Sequence, residues 1–116
     1  MTAPKFRVKH VGINHKSAAE AEKTAQKAMS LFGLARGDED ETHIFTGDIF
    51  EIMKIDTIGR LGHIALQCDD VEAALDYLAA KGIGVQEDTV KRDGNGRRTF
   101  AYLDLDLAGF AVHLTV

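Results

Sequence analysis

Two parts of this chain carry the same residue types in the same pattern, and that repeat limits the folds open to it. Lys9-His10-Val11-Gly12-Ile13-Asn14 aligns with Gly62-His63-Ile64-Ala65-Leu66-Gln67. Phe50-Glu51-Ile52-Met53 aligns with Val112-His113-Leu114-Thr115. The period is about half of the 116 residues, too long and with too few copies for a solenoid. Strand-helix-strand patterns align loosely by chance. Here, however, a metal-capable residue stands at each matched place, which argues for a duplicated module. In all four segments that residue alternates with apolar neighbours, and a strand points successive side chains to opposite faces. One face packs a core. The other carries His10, Glu51, His63 and His113. A lone strand histidine is most often a hydrogen-bonded structural residue, and a lone glutamate on such a face is most often solvated. The joint pattern points instead to a divalent metal, which imidazole and carboxylate suit.

The intervening residues predict one helix per module. Ser17-Ala18-Ala19-Glu20 has the form of a capping box. Ala18, Ala21, Ala25, Ala28 and Phe32 then make an apolar stripe, and Gly33 is a stop. Residues 36–41 suggest a short strand or loop. Strands are expected at 42–46 and 49–55, joined by a turn at Gly47-Asp48, with a linker at 56–61. In the second half Asp69 is the expected cap of a helix with the stripe Val71, Ala74, Leu75 and Leu78. Strands are expected at 83–90, 99–105 and 109–116, with a turn at Asp93-Gly94-Asn95-Gly96.

Composition narrows the function class. A formal charge of −4 argues against a dedicated nucleic-acid surface. No apolar run approaches the ~18 residues that span a bilayer, and residues 1–5 lack a signal-peptide core. Cys68 is the single cysteine, so no internal disulfide forms; the expectation is a cytoplasmic protein with Cys68 as a small buried residue. His15 is expected to be exposed in a turn, whereas His43 could face the same hollow as the four candidates and help bind substrate there. Lys54 and Arg98 could hold an acidic substrate, although both, like Arg97, are more simply read as solvated.

The segment from Gly62 to Gln67, followed by Asp69-Asp70 and a helix, resembles the opening of the second module in the vicinal oxygen chelate superfamily. That family includes glyoxalase I, extradiol dioxygenases, methylmalonyl-CoA epimerase and the fosfomycin and bleomycin resistance proteins. The resemblance runs from about Phe6 to Val116. It implies an α+β fold of two βαβββ modules, about residues 6–56 and 62–116 of a single 1–116 domain. Their strands would form a cup-shaped mixed sheet with helices on the convex face. It also implies metal ligands at His10, Glu51, His63 and His113, and frequent pairing as homodimers. The metal would be zinc or nickel in the first place, with manganese, cobalt or iron as alternatives. Residues 50–54, 62–65 and 109–114 further resemble a small chelate-type domain found with 2-keto-3-deoxy-6-phosphogluconate aldolases, which would place the substrate among keto sugar acids.

One position departs from the family. Its closing strand usually presents a glutamate where this chain has His113. Three neutral imidazoles and one carboxylate leave a divalent site at a net positive charge, which favours an anionic bidentate ligand such as a 2-oxo or 2-hydroxy acid. The change also leaves Glu51 as the one candidate base among the four, so glyoxalase I activity itself is in doubt. The expected function is a glyoxalase-type lyase or isomerase acting on a small anion. The alternatives are a sequestering module of the bleomycin-resistance type and an iron-dependent extradiol dioxygenase. A fourth protein ligand argues against the dioxygenase, which keeps three coordination positions free.

Overall fold

A computed structural model describes residues 3–116 of the chain. In chain order the elements are β1 (Arg7–Ile13), α1 (Ala18–Phe32), β2 (Arg36–Glu39), β3 (His43–Thr46), β4 (Phe50–Met53), β5 (Gly62–Gln67), α2 (Val71–Ala79), a 3-10 turn (Glu87–Thr89), β6 (Lys91–Arg92), β7 (Arg98–Leu107) and β8 (Phe110–Thr115). The βαβββ pattern thus occurs twice, as expected. All eight strands join one mixed sheet in the order β2-β3-β4-β1-β5-β8-β7-β6. No helix among the described residues is long and apolar enough to cross a membrane.

The pairing at the centre positions the site. β1 and β5, the opening strands of the two modules, run antiparallel with Gly12 opposite His63 and Ile13 opposite Gly62. Each closing strand returns parallel to its own opening strand, β4 beside β1 and β8 beside β5. The four strands carrying the candidate ligands are therefore neighbours: β4-β1-β5-β8.

The helices cover the other face. Ser17 caps α1 by accepting from the Glu20 N–H, and Gly33 ends it with a left-handed φ of 67°. Ala21, Ala25 and Ala28 are buried, and Ala21 and Ala25 form a cluster with Ile44 and Ile52. The predicted stripe fails at its ends: Ala18 is exposed and Phe32 is 68% exposed. α2 begins one residue later than expected. Asp70, not Asp69, accepts from the Ala73 N–H, and that start turns Val71, Ala74 and Leu75 toward the core. Asp69 pairs with Arg7 instead. Under α2 lie Ala101, Leu103, Val112 and Leu114. Cys68 is buried in the same cluster.

The strand expected at 83–90 does not form. Val85 makes a single bridge to Leu103, and a 3-10 turn follows. The Thr89 hydroxyl explains the break. It donates to the Gln86 carbonyl and accepts from the Tyr102 N–H, giving β7 a side-chain partner where a strand would have offered a carbonyl. At the opposite edge β2 is fully exposed and carries Arg36, Asp38 and Glu39, charges that discourage pairing with another chain.

Candidate metal centre

On the face turned away from the helices, register builds two short rows across the central strands. Gly12 stands opposite Glu51 on one side and His63 on the other. Ala65 stands opposite His10 and His113. In each row a small side chain separates two ligand-type ones, so the rings can lean over it. At Gly12 the space is fully used: a Cβ there would lie 2.0 Å from His63 Cε1 and 2.2 Å from its Nδ1.

The groups gather in two overlapping sets, the three histidines and Glu51 with His63 and His10. The rings of His10, His63 and His113 form a near-equilateral triangle, with centroids 5.4, 5.8 and 5.5 Å apart. One ligand atom from each lies within 4.8 Å of the others. Glu51 Oε1 is 2.9 Å from His63 Nε2 and 3.4 Å from His10 Nε2, and the two nitrogens are 3.3 Å apart. Two donors each about 2.0–2.1 Å from one zinc-sized ion, at tetrahedral angles, stand roughly 3.3 Å from each other. The triangle of Glu51, His10 and His63 already has that size, so the residues fit a metal. The ordinary reason to bury a histidine is a partner at each ring nitrogen. His63 and His113 are buried, and Nδ1 of each has no hydrogen-bond partner among the described residues.

Charge follows the same geometry. Burial pushes the Glu51 carboxyl upward, but hydrogen bonds from His10 and His63 and their charges outweigh it, holding it well below the carboxylate range. Burial, with His63 and His10 alongside, pulls the His113 imidazole down to about 4. His113 is therefore neutral at pH 7, with a lone pair free to bind a cation. A pH dependence follows for the metal-free protein. The unfolded chain takes up this proton near pH 6.5, whereas the folded chain refuses it until about 4. The unfolded state binds more protons in that window, so stability falls as pH drops through it. The expected loss from this group is on the order of 2–3 kcal/mol. Denaturant titrations across that range measure it, and His113→Gln should flatten most of the slope. A wild-type profile flat from neutral pH down to about 4 would contradict the assignment.

The remaining predicted residues are placed variously. His43 joins the cluster, with Nδ1 3.1 Å from Glu51 Oε2. Lys54 and Arg98 are not brought to it. The Lys54 ammonium donates to Glu39 Oε2 at 3.0 Å and to the Asp40 carbonyl at 2.7 Å. The Arg98 guanidinium is held by Glu72 and by Asp76, at 2.7 Å, both on α2. Carboxylates from other elements capture both cations. His15 is not free in its turn. Nε2 meets Thr24 Oγ1 at 2.7 Å and Nδ1 meets the Met53 carbonyl at 2.9 Å, so the ring ties α1 to β4. It is the hydrogen-bonded structural histidine of this chain.

A cavity of about 450 Å³ opens over the cluster. Lys9, Thr57, Lys91, Phe100, Tyr102 and Thr115 line it along with Glu51 and the three histidines. The rings of Phe100 and Tyr102 stand 4.5 and 4.9 Å from His113. Reading the sequence missed Gly12 and Ala65 as spacers and Tyr102 as a wall. The small residue falls two places after the histidine in both modules, a pattern that marks a spacer only once the strand register is known.

The model of the Glyoxalase/Bleomycin resistance protein/Dioxygenase superfamily matches residues 6–114. No curated protein matches the sequence. Among solved structures, methylmalonyl-CoA epimerase from Mycobacterium tuberculosis superposes with a TM-score of 0.64 at 15% identity, covering 92% of this chain and 85% of that one. Hypothetical protein BH1468 from Bacillus halodurans C-125 gives 0.63 at 16%, covering 95% and 93%. A single-residue variant of Streptomyces coelicolor methylmalonyl-CoA epimerase, in complex with 2-nitronate-propionyl-CoA, gives 0.59 at 20%, covering 93% and 94%. At these identities the likeness is one of fold.

Proposed function

The chain belongs to the Glyoxalase/Bleomycin resistance protein/Dioxygenase superfamily, and within it we propose a metal-dependent enzyme of isomerase type acting on a small 2-oxo or 2-hydroxy acid, with keto sugar acids as candidates. One observation carries the reading: Glu51, His10, His63 and His113, two from each module, converge under an open cavity. His10, His63, His113 and Glu51 would hold the metal, and both modules act as one unit because each supplies half of the set. A bound divalent cation supplies Lewis-acid stabilisation of negative charge on a substrate oxygen. Glu51 stays ionised at neutral pH, as the acceptor of a carbon-bound proton must. Tyr102, whose phenol burial and the Glu51 charge push upward, keeps its proton and is a neutral donor at the cavity wall. Lys9 and Lys91 at the rim favour an anion.

Proton exchange tests this directly. Metal-loaded protein in D₂O should exchange the proton next to the carbonyl of a 2-oxo acid substrate, followed by NMR. At saturating metal, Glu51→Gln should slow that exchange by about 10²–10⁴-fold. Stoichiometric metal with no exchange across a panel of 2-oxo and keto sugar acids would favour the sequestering module over the enzyme.

A further inference from the structure

The two oxygens of Glu51 face different partners. Oε1 points to His63 and His10. Oε2 lies 3.1 Å from His43 Nδ1. The His43 ring is itself fixed from behind, because Nε2 lies 2.9 Å from Asp38 Oδ2 on the neighbouring edge strand. Asp40 Oδ1 is 3.6 Å from Nδ1, but it already accepts from the Thr42 N–H, the Thr42 hydroxyl and the His43 N–H. The Phe45 ring, 5.2 Å away, closes one side. His43 is only 14% exposed in its side chain, whereas Asp38 is 78% exposed. The His43 ring thus stands between two carboxylates, Glu51 inside the cup and Asp38 at its rim.

We propose that His43 is a positioning residue: by holding Glu51 Oε2 it restricts Glu51 to one-oxygen coordination and so keeps a place open for a chelating ligand. The inference rests on the metal reading above. Four protein donors on a six-coordinate ion leave room for two vicinal substrate oxygens. A glutamate free to turn both oxygens inward would take one of those places. In this role His43 need not touch substrate. It acts through Glu51, as outer partners of metal ligands do.

Cobalt(II) in place of the native metal, with oxalate as the chelating probe, tests the idea. High-spin cobalt absorbs more weakly in the visible as its coordination number rises. His43→Leu should show weaker bands before oxalate is added and should bind oxalate about tenfold more weakly than wild type. His43→Asn, whose amide nitrogen stands close to where Nδ1 does, should restore both. Asp38→Ala changes an exposed residue and leaves the fold intact; it should produce a smaller loss in the same direction. A His43→Leu protein with the wild-type spectrum and oxalate affinity overturns the role, as does His43→Asn behaving no better than leucine. Should His43→Leu fail to fold, unchanged oxalate affinity in Asp38→Ala overturns it. If wild-type protein takes up no cobalt, the metal reading itself falls and the inference falls with it. Uptake with an unchanged His43→Leu response removes the positioning role alone.

Discussion

His63→Ala protein should be purified without its metal. His63 is the hub of the cluster, since its Nε2 touches both Glu51 Oε1 at 2.9 Å and His10 Nε2 at 3.3 Å. Its removal deletes a ligand and also leaves the other two without the group that spaces them. Loss of an outer partner alone lowers metal affinity about 10–100-fold, so loss of this ligand should exceed about a hundredfold. Elemental analysis and competition with a chromophoric chelator measure the change. His15→Ala is the control. It breaks the tie between α1 and β4 and should lower stability while leaving metal stoichiometry at the wild-type value. Unchanged metal in His63→Ala would remove the four-ligand site.

Gly12→Ala should both destabilise the fold and disturb the metal centre. Its φ is not among the positive values of this chain, so alanine brings no backbone strain there. The harm is steric: the new Cβ would sit 2.0 Å from His63 Cε1, and the ring has to swing off its row. Overpacking of this kind destabilises by about 1–3 kcal/mol. Metal affinity should fall too, because the displaced ring no longer faces Glu51. A double-mutant cycle isolates the cause. In a His63→Ala background the clash has no partner, so Gly12→Ala should there change unfolding free energy by no more than about 0.5 kcal/mol. An equal penalty in both backgrounds would mean that Gly12 matters for some other reason than the His63 ring.

Much of this site could be read from the chain because strand alternation is a local rule. Glu51, His63 and His113 each sit between apolar neighbours or glycine, and His10 is followed by the half-buried Val11. The duplication added the order of elements. Register is different. Whether Gly12 stands beside His63 or one place away depends on how two strands about fifty residues apart pair, and no local pattern encodes that. The role of Gly12 was therefore missed, and so was Tyr102, which reaches His113 only through the β7–β8 register. Charged residues misled for a related reason. Lys54 and Arg98 looked free because the carboxylates that hold them, Glu39, Glu72 and Asp76, lie on other elements.

By itself the sequence determined the two-module plan, the helix caps to within a residue, and which face of each central strand would be polar. Those follow from periodicities of two and 3.6 and from residues near in the chain. Only the tertiary structure decided that ligand atoms of His10, His63 and His113 come within 4.8 Å of one another with Glu51 beside two of them, that His43 stands next to Glu51, and that His15 serves the frame. Such matters depend on long-range pairing and on ångström-scale spacing, which many residues set together.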